Sequence, residues 1–492
     1  MTSSSEQRLA ASGAVTAPNA PRGTAVDDEP HLVRGLGVWD ATLLTVGSIV
    51  GTGIFLTTSD MARVLPHAGL ILLVWLAGGL LTLAGALTYA ELGVMFPRAG
   101  GQYQYLKEAY GPFWGFLFGW SGFLVGMSGG NAAIAVGFGE YLGGFLPWFS
   151  TQHVLAAVPI GGWTWTLNGV QVAAALAILL LTAINHVGLR AGAGAQNVLT
   201  AIKLAAMVGL VVFGLTASVP AARGAADAAS TAAAALPTGT ALLAAFGVAM
   251  IAGLWTYDGW YGVTCAAGEL KNPARNLPRG LIGGTLVVVL LYLLLNVVYF
   301  RALPVETIAG APRVAELAAG TLFGPWAARL MTAAVLVSSF GCLSASLLYT
   351  SRIYQPMAAD GLFFRALGRV HPKHHVPVAS LWAQGVWTTV LALSGTYQQL
   401  YTYAVFSLVL FHVMTAAAVI VLRRRRPELP RPYRTWGYPV VPVLFIGACL
   451  LLVGNTLVAK PVESLLGTGL LVLGIPAYVL FRRRARISAE AS

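Results

Sequence analysis

Apolar residues gather into twelve stretches, near positions 37–65, 69–95, 113–146, 167–186, 195–217, 239–270, 280–300, 326–355, 377–396, 399–422, 438–459 and 462–481. Crossing a hydrocarbon core about 30 Å thick takes roughly 20 helical residues, and each stretch is long enough. The pattern therefore predicts an all-α membrane protein with twelve transmembrane helices. Most polar connections are short, which suits antiparallel neighbours. Residues 96–112 and 356–376 read as cytoplasmic loops, and 302–325, with Pro304, Pro312 and Pro325, as an extracellular cap of short helices. The Ala-rich stretch 218–238 holds Pro220, Arg223, Asp227 and Pro237 and reads as an external loop. Residues 1–34 lack an apolar core of signal-peptide length and read as a disordered cytoplasmic tail.

Two of the apolar stretches are interrupted. The first contains Gly47-Ser48-Ile49-Val50-Gly51-Thr52-Gly53-Ile54-Phe55 at mid-depth. Each glycine costs roughly 0.8–1 kcal/mol relative to alanine in a helix interior. Lipid tolerates no unpaired amide, so a backbone opened there must face something polar. The sixth contains Gly253-Leu254-Trp255-Thr256-Tyr257-Asp258-Gly259-Trp260. Interruptions in corresponding places of two halves point to a transporter's midplane site. Residues 35–217 (spans one to five) and 218–422 (the external loop and spans six to ten) are similar in span length, and each set opens with an interrupted helix. Because five is odd, the second set enters from the opposite side, giving an inverted repeat. Residues 423–492 add two helices and a basic cytoplasmic tail.

Composition supports the membrane reading, with 57% hydrophobic and 10% charged residues and a mean hydropathy of +0.73. The net charge of +12 changes the picture only by its placement. Of 30 Lys and Arg residues, Lys203 lies deep in a span; with a cytoplasmic amino terminus, 23 of the rest fall on the cytoplasmic side and six on the other. That asymmetry is the positive-inside signature of a multi-pass inner-membrane protein with both termini cytoplasmic. Arg423 to Arg426 and Arg482 to Arg486 are thus topology determinants near anionic lipid, and no nucleic-acid partner is implied. Cys265, Cys342 and Cys449 lie on different spans without metal-ligand spacing, so neither a metal nor a cofactor is expected.

Breaking a helix exposes N–H groups on one side and C=O groups on the other, which match the two charges of an amino acid zwitterion. The carboxylate is assigned to the amides of Gly51, Thr52 and Gly53, with the Thr52 hydroxyl as an added donor. The ammonium is assigned to carbonyls near Ile49 and at Trp255, Thr256 and Asp258. The bland alternative for the first motif is close helix packing through Gly47-x-x-x-Gly51. Asp258, costly inside a membrane, should face the cavity, either beside the ammonium or as a proton carrier; otherwise it caps a half-helix. Trp255 is a candidate gate. Lys203, eight residues into the fifth span and so about 12 Å along it, is neutralised by burial, braces the broken first span as a fixed cation, or snorkels. Glu91 and Glu269 are candidates to close an inner gate with Arg98, Arg352 or another cation, and His412 reads as a packing histidine. Metal binding by His371, His374 and His375 is not expected. Asn131, Ser338, Ser339 and Phe406 are candidate pocket walls.

At these residues the chain resembles the amino acid–polyamine–organocation transporters, in particular the L-type amino acid transporter branch and its bacterial relatives. The resemblance spans 34 to about 480. Besides the two interruptions it rests on Glu91-Leu92, Pro97 to Tyr103, Gly268 to Pro273, Arg275-Asn276-Leu277-Pro278 and Arg431-Pro432-Tyr433-Arg434. It implies a LeuT-like five-plus-five inverted repeat with helices one and six broken and two further C-terminal helices, moving L-amino acids by alternating access. It further implies carboxylate binding at Thr52 and Gly53, ammonium binding by backbone at Ile49, Trp255 and Asp258, and gating by Trp255. Lys203 matches a lysine that takes the place of sodium, so sodium independence is implied. The extracellular cysteine that joins mammalian members to an accessory heavy chain is missing, so no such partner is expected.

The reading is a sodium-independent transporter of mainly neutral L-amino acids, working by exchange or proton coupling. A carrier of cationic amino acids or amines is the alternative within the class, with Asp258 as counter-charge. An amino-acid-sensing receptor without turnover is the alternative outside it. No Ser/His or paired-Asp motif in the spans supports an enzyme.

Overall fold

A computed structural model describes residues 35–98, 100–160, 163–186, 189–217, 238–372, 376–459 and 461–490. The expected tail 1–34, most of the external loop, and His374 and His375 lie outside the described residues. All twelve apolar stretches fall on helices. Among the described residues, nine helices are long and apolar enough to cross a membrane, or ten when one bent pair is taken as a single span.

That pair is α1 (Val38–Ile49) and α2 (Gly53–Val64), whose axes bend by 41°. Then come α3 (Ala68–Met95), the short α4 (Gln102–Tyr110), α5 (Pro112–Ser121) and α6 (Met127–Phe145). A π-helical turn, Gly122–Gly126, joins α5 to α6 within one long span. Such wide turns release backbone groups and are frequent at functional sites. An antiparallel hairpin follows, β1 (Val154–Ile160) and β2 (Trp163–Asn168), which the apolar pattern does not anticipate because the strands are too short to register against the spans around them.

Next are α7 (Gly169–His186), α8 (Leu189–Thr216), α9 (Gly239–Tyr257), the single turn α10 (Gly262–Cys265) and α11 (Pro273–Ala302). The expected cap over 302–325 is present as α12 (Val305–Gly310) and α13 (Val314–Phe323), closed by Pro and Gly punctuation. The chain continues with α14 (Pro325–Ala359), α15 (Val378–Ser394), α16 (Tyr397–Arg425), α17 (Val440–Ala459) and α18 (Pro461–Glu490).

The two interrupted helices are central. α1 packs against α11, α8 and α14, while α2 packs against α9. At the arginine-rich end the chain just before α1 is pinned to the chain after α10: the Gly35 and Leu36 amides donate to the Glu269 carbonyl (3.0 and 3.1 Å), and the Lys271 amide donates to Leu36 (2.8 Å). Buried side chains fill the middle, whereas leucines and valines on the outer faces of α3, α7, α11, α17 and α18 are exposed, as lipid-facing surface requires.

Candidate functional site

The break between α1 and α2 is a three-residue turn. The Val50 amide still bonds Val46 (2.9 Å), and the Gly51 amide turns back to the Ile49 carbonyl (2.9 Å). The amides of Thr52 and Gly53, which open α2, find no acceptor among the described residues. Gly51 was expected to offer its amide to a ligand as well; the tight turn uses it instead.

The carbonyl end of α1 is capped from outside. The Lys203 ammonium donates to Gly47 and Val50, both at 2.8 Å. The Tyr292 hydroxyl donates to Ile49 (3.2 Å), the Cys342 thiol to Ser48 (3.4 Å) and the Ser338 hydroxyl to Val50 (3.4 Å). Every orphan carbonyl of the last turn thus has a donor. Lys203 is 2% exposed and buried among the spans, so it braces the break and does not snorkel. The Ile49 carbonyl, expected at the substrate ammonium, already accepts two donors.

The second break starts later than its sequence suggests. α9 stays helical through Trp255, Thr256 and Tyr257, and the chain opens only at Asp258–Tyr261. Tyr257 is fully buried and donates to the Trp75 carbonyl (3.1 Å), which holds the last turn in place against the glycine's pull. The Asp258 amide bonds the Trp255 carbonyl (3.0 Å), leaving those of Thr256 and Tyr257 without a donor among the described residues.

The two breaks touch. The Ser48 hydroxyl donates to the Gly259 carbonyl (3.0 Å), and Gly259 sits at φ +92° with its α-carbon against the Ser48 carbonyl, where a Cβ would lie 2.3 Å from the oxygen. Higher up, a Cβ on Gly53 would meet the Thr256 backbone at 2.9 Å, and the Thr57 and Thr256 hydroxyls share a 2.7 Å hydrogen bond. Only glycine permits either approach.

Between the breaks, α6 and α14 lies a small cavity of about 30 Å³. Ile49, Gly51, Thr52, Gly53, Asn131, Trp255, Thr256 and Asp258 all line it, so eight expected site residues converge. The Asn131 carboxamide is 1% exposed, and neither of its polar atoms has a hydrogen-bond partner among the described residues. The Thr52 hydroxyl lies close to that of Tyr397 without a hydrogen bond of good geometry. Ser338, Lys203 and Glu269 do not line the cavity. Ser338 and Lys203 stand behind α1, Ser339 bonds back to Val335 (2.6 Å), and Phe406 packs toward Gly467. Cys342, Ser346 and Tyr349 line it from α14 and escaped the sequence reading. Their spacing of three to four residues on one helix face is the signal that was available.

Latches lie on both sides. Toward the arginine-rich end, Glu269 pairs with Arg352 at 2.9 Å, both side chains mostly buried. Glu91 is held by Arg423 (2.7 and 2.8 Å), by the Thr435 amide (2.7 Å) and hydroxyl (2.8 Å), and at 3.6 Å by Arg431; Arg98 is not its partner. Toward the other end, the Trp255 ring stacks on Tyr401 (5.9 Å, 14°) and its indole N–H donates to the Tyr397 hydroxyl (2.9 Å). Tyr401 in turn donates to Asp60 (3.0 Å), which pairs with Arg63 (2.9 Å). The sequence singled out Trp255 alone, although Tyr397 and Tyr401 one turn apart at a helix start were visible. His412 packs as expected, its Nδ1 bonded to the Tyr89 hydroxyl at 2.7 Å.

Membrane-crossing helices around a buried cavity at two paired breaks define a multi-pass membrane carrier. The chain belongs to the amino acid permease family, whose model matches residues 36–481. The serine/threonine exchanger SteT of Bacillus subtilis (strain 168) is 30% identical over 460 residues, covering 93% of this chain and 99% of that protein. The human b(0,+)-type amino acid transporter 1 is 30% identical over 463 residues, covering 94% and 89%. The human large neutral amino acids transporter small subunit 2 is 30% identical over 450 residues, covering 91% and 80%. This is an amino acid transporter of the amino acid–polyamine–organocation superfamily, not an enzyme.

Proposed function

We propose that the protein is a sodium-independent secondary transporter of L-amino acids, mainly neutral, working by alternating access in a bacterial-type inner membrane. The observation that carries this reading is the polarity of the cavity. On one wall are the unpaired amides of Thr52 and Gly53 at the start of α2, a site for a carboxylate. On the other are the open Thr256 carbonyl and the Asp258 carboxylate, a site for an ammonium. Lys203 supports sodium independence, because its charge already occupies the carbonyl end of α1 where a bound cation would sit. Asn131 is the side-chain sensor: a buried carboxamide with both atoms unpaired costs stability until a ligand pairs it, which favours substrates carrying a small hydrogen-bonding side chain. The name of one relative, a serine/threonine exchanger, is in keeping with such substrates.

The test is uptake of a labelled amino acid panel into proteoliposomes in sodium, potassium and choline buffers. Equal rates in all three, with serine or threonine competing well, are expected. A rate that collapses without sodium would contradict the role given to Lys203.

A second reading has its own support. Asp258 lines the cavity with no cationic partner among the described residues, as a carrier of cationic amino acids or amines would require. Preferential competition by lysine, arginine or putrescine over serine and leucine would establish it in place of the first.

A further inference from the structure

Away from the cavity, α4 turns into α5 through Gly111 at the arginine-rich end, and this corner meets the last part of α18 and the turn after α14. The three elements line an open cleft of about 560 Å³. Its walls are aromatic: Phe113 packs on Tyr478 (ring centroids 5.1 Å apart) and on Trp114 (5.3 Å), and Trp114 is 38% exposed. Two cations border it. Lys107 bonds Asp360 at 2.6 Å, and the Tyr103 hydroxyl donates to the same carboxylate oxygen at 2.5 Å. Burial, and then the neighbouring Asp360, push the Tyr103 phenol well above its ordinary value, so it stays a donor. The acid of the cleft is thereby answered within the protein. Arg482 is different: its guanidinium lies over the Tyr478 ring at 5.9 Å and makes no ion pair among the described residues. The start of α5, ten residues long, adds its partial positive charge on the same side.

An aromatic-walled cleft with one uncompensated cation, set among the basic residues that flank the spans, matches an amphiphile with an anionic head. We propose that this cleft binds an anionic phospholipid of the surrounding leaflet, its phosphate on Arg482 and the start of α5 and its glycerol and first methylenes against Phe113 and Trp114. The bound lipid joins α18 to the α4–α5 corner. That corner leads directly into the π-helical turn and α6, which forms one wall of the transport cavity.

The test is native mass spectrometry of the full-length protein equilibrated with an equimolar mixture of phosphatidylglycerol and phosphatidylcholine. Phosphatidylglycerol adducts are expected to dominate. Arg482→Ala should reduce their retention about fivefold, the equivalent of roughly 1 kcal/mol for one cation near an anionic surface. Arg279→Ala, an exposed cation on α11 outside the cleft, should leave it within about twofold. Trp114→Ala, which keeps every charge, should also reduce it. Equal retention of the two lipids would overturn the site, as would equal losses in Arg482→Ala and Arg279→Ala. Wild-type retention in Trp114→Ala would show diffuse attraction to a basic surface in place of a built cleft.

Discussion

The two broken helices solve the same problem in opposite ways. α1 ends in a set of carbonyls that the protein itself caps, with Lys203, Tyr292, Cys342 and Ser338 each reaching in from another helix. α9 ends, among the described residues, with only the Trp255 carbonyl answered, by the Asp258 amide, and with a carboxylate added beside the gap. Backbone left open in a membrane interior costs several kcal/mol per group unless something polar fills it. The first break is therefore a finished platform that offers amides through α2. The second is the unfinished side, and it is where the proposed function places the substrate ammonium.

The largest effect should come from joining the two breaks too tightly to fit. Gly259→Ala places a methyl group 2.3 Å from the Ser48 carbonyl at a φ of +92°. The left-handed conformation alone costs about 1–2 kcal/mol, and the clash adds to it, so uptake should be abolished. Wild-type uptake by this variant would mean the breaks do not meet as described.

Next is Lys203→Met, which keeps the stem and removes two charge-assisted hydrogen bonds worth about 1.5–3 kcal/mol each. Transport should fall at least tenfold, with a lowered melting temperature in detergent. A normal melting temperature with normal uptake would show that the carbonyl end of α1 needs no cap.

Trp255→Ala removes the stacked ring and its bond to Tyr397. A rise in KM of about fivefold to tenfold is expected from initial rates, because a lid contact stabilises the loaded state by about 1 kcal/mol or slightly more. Smallest is Tyr401→Phe, which loses only the hydrogen bond to Asp60. A change of about twofold to fivefold in exchange rate is expected, and none at all would remove Asp60 from the outer latch.

Much of the site could be read from residue order because it is made of backbone. Glycines at 47, 51, 53, 253 and 259 mark where a helix can open, and that information is local. What the sequence could not show is how far each opening runs. The last turn of α9 survives past Gly253 because the Tyr257 side chain is buried and anchored on Trp75, a contact between residues 182 positions apart. The Gly51 amide was assigned to the ligand because the geometry of a three-residue turn is invisible in the letters. Partners of single charges were the least legible. Of the cations offered to the two glutamates, Glu269 takes the named Arg352, and Glu91 takes Arg423 and Arg431, left unnamed in the sequence, because α16 and the segment after it cross α3 at that level. The hairpin β1–β2 lay below the resolution of a pattern tuned to helices of twenty residues.

The division of labour between the breaks is tested most directly by asking which end of the substrate each one reads. Uptake of labelled serine, or of the best substrate found, should be competed with the unlabelled amino acid, its methyl ester and its N-acetyl derivative. If α2 holds the carboxylate and the end of α9 with Asp258 holds the ammonium, neither derivative should compete even at about hundredfold excess. Competition by the N-acetyl derivative as strong as that of the free amino acid would contradict the assignment of the ammonium to the open end of α9.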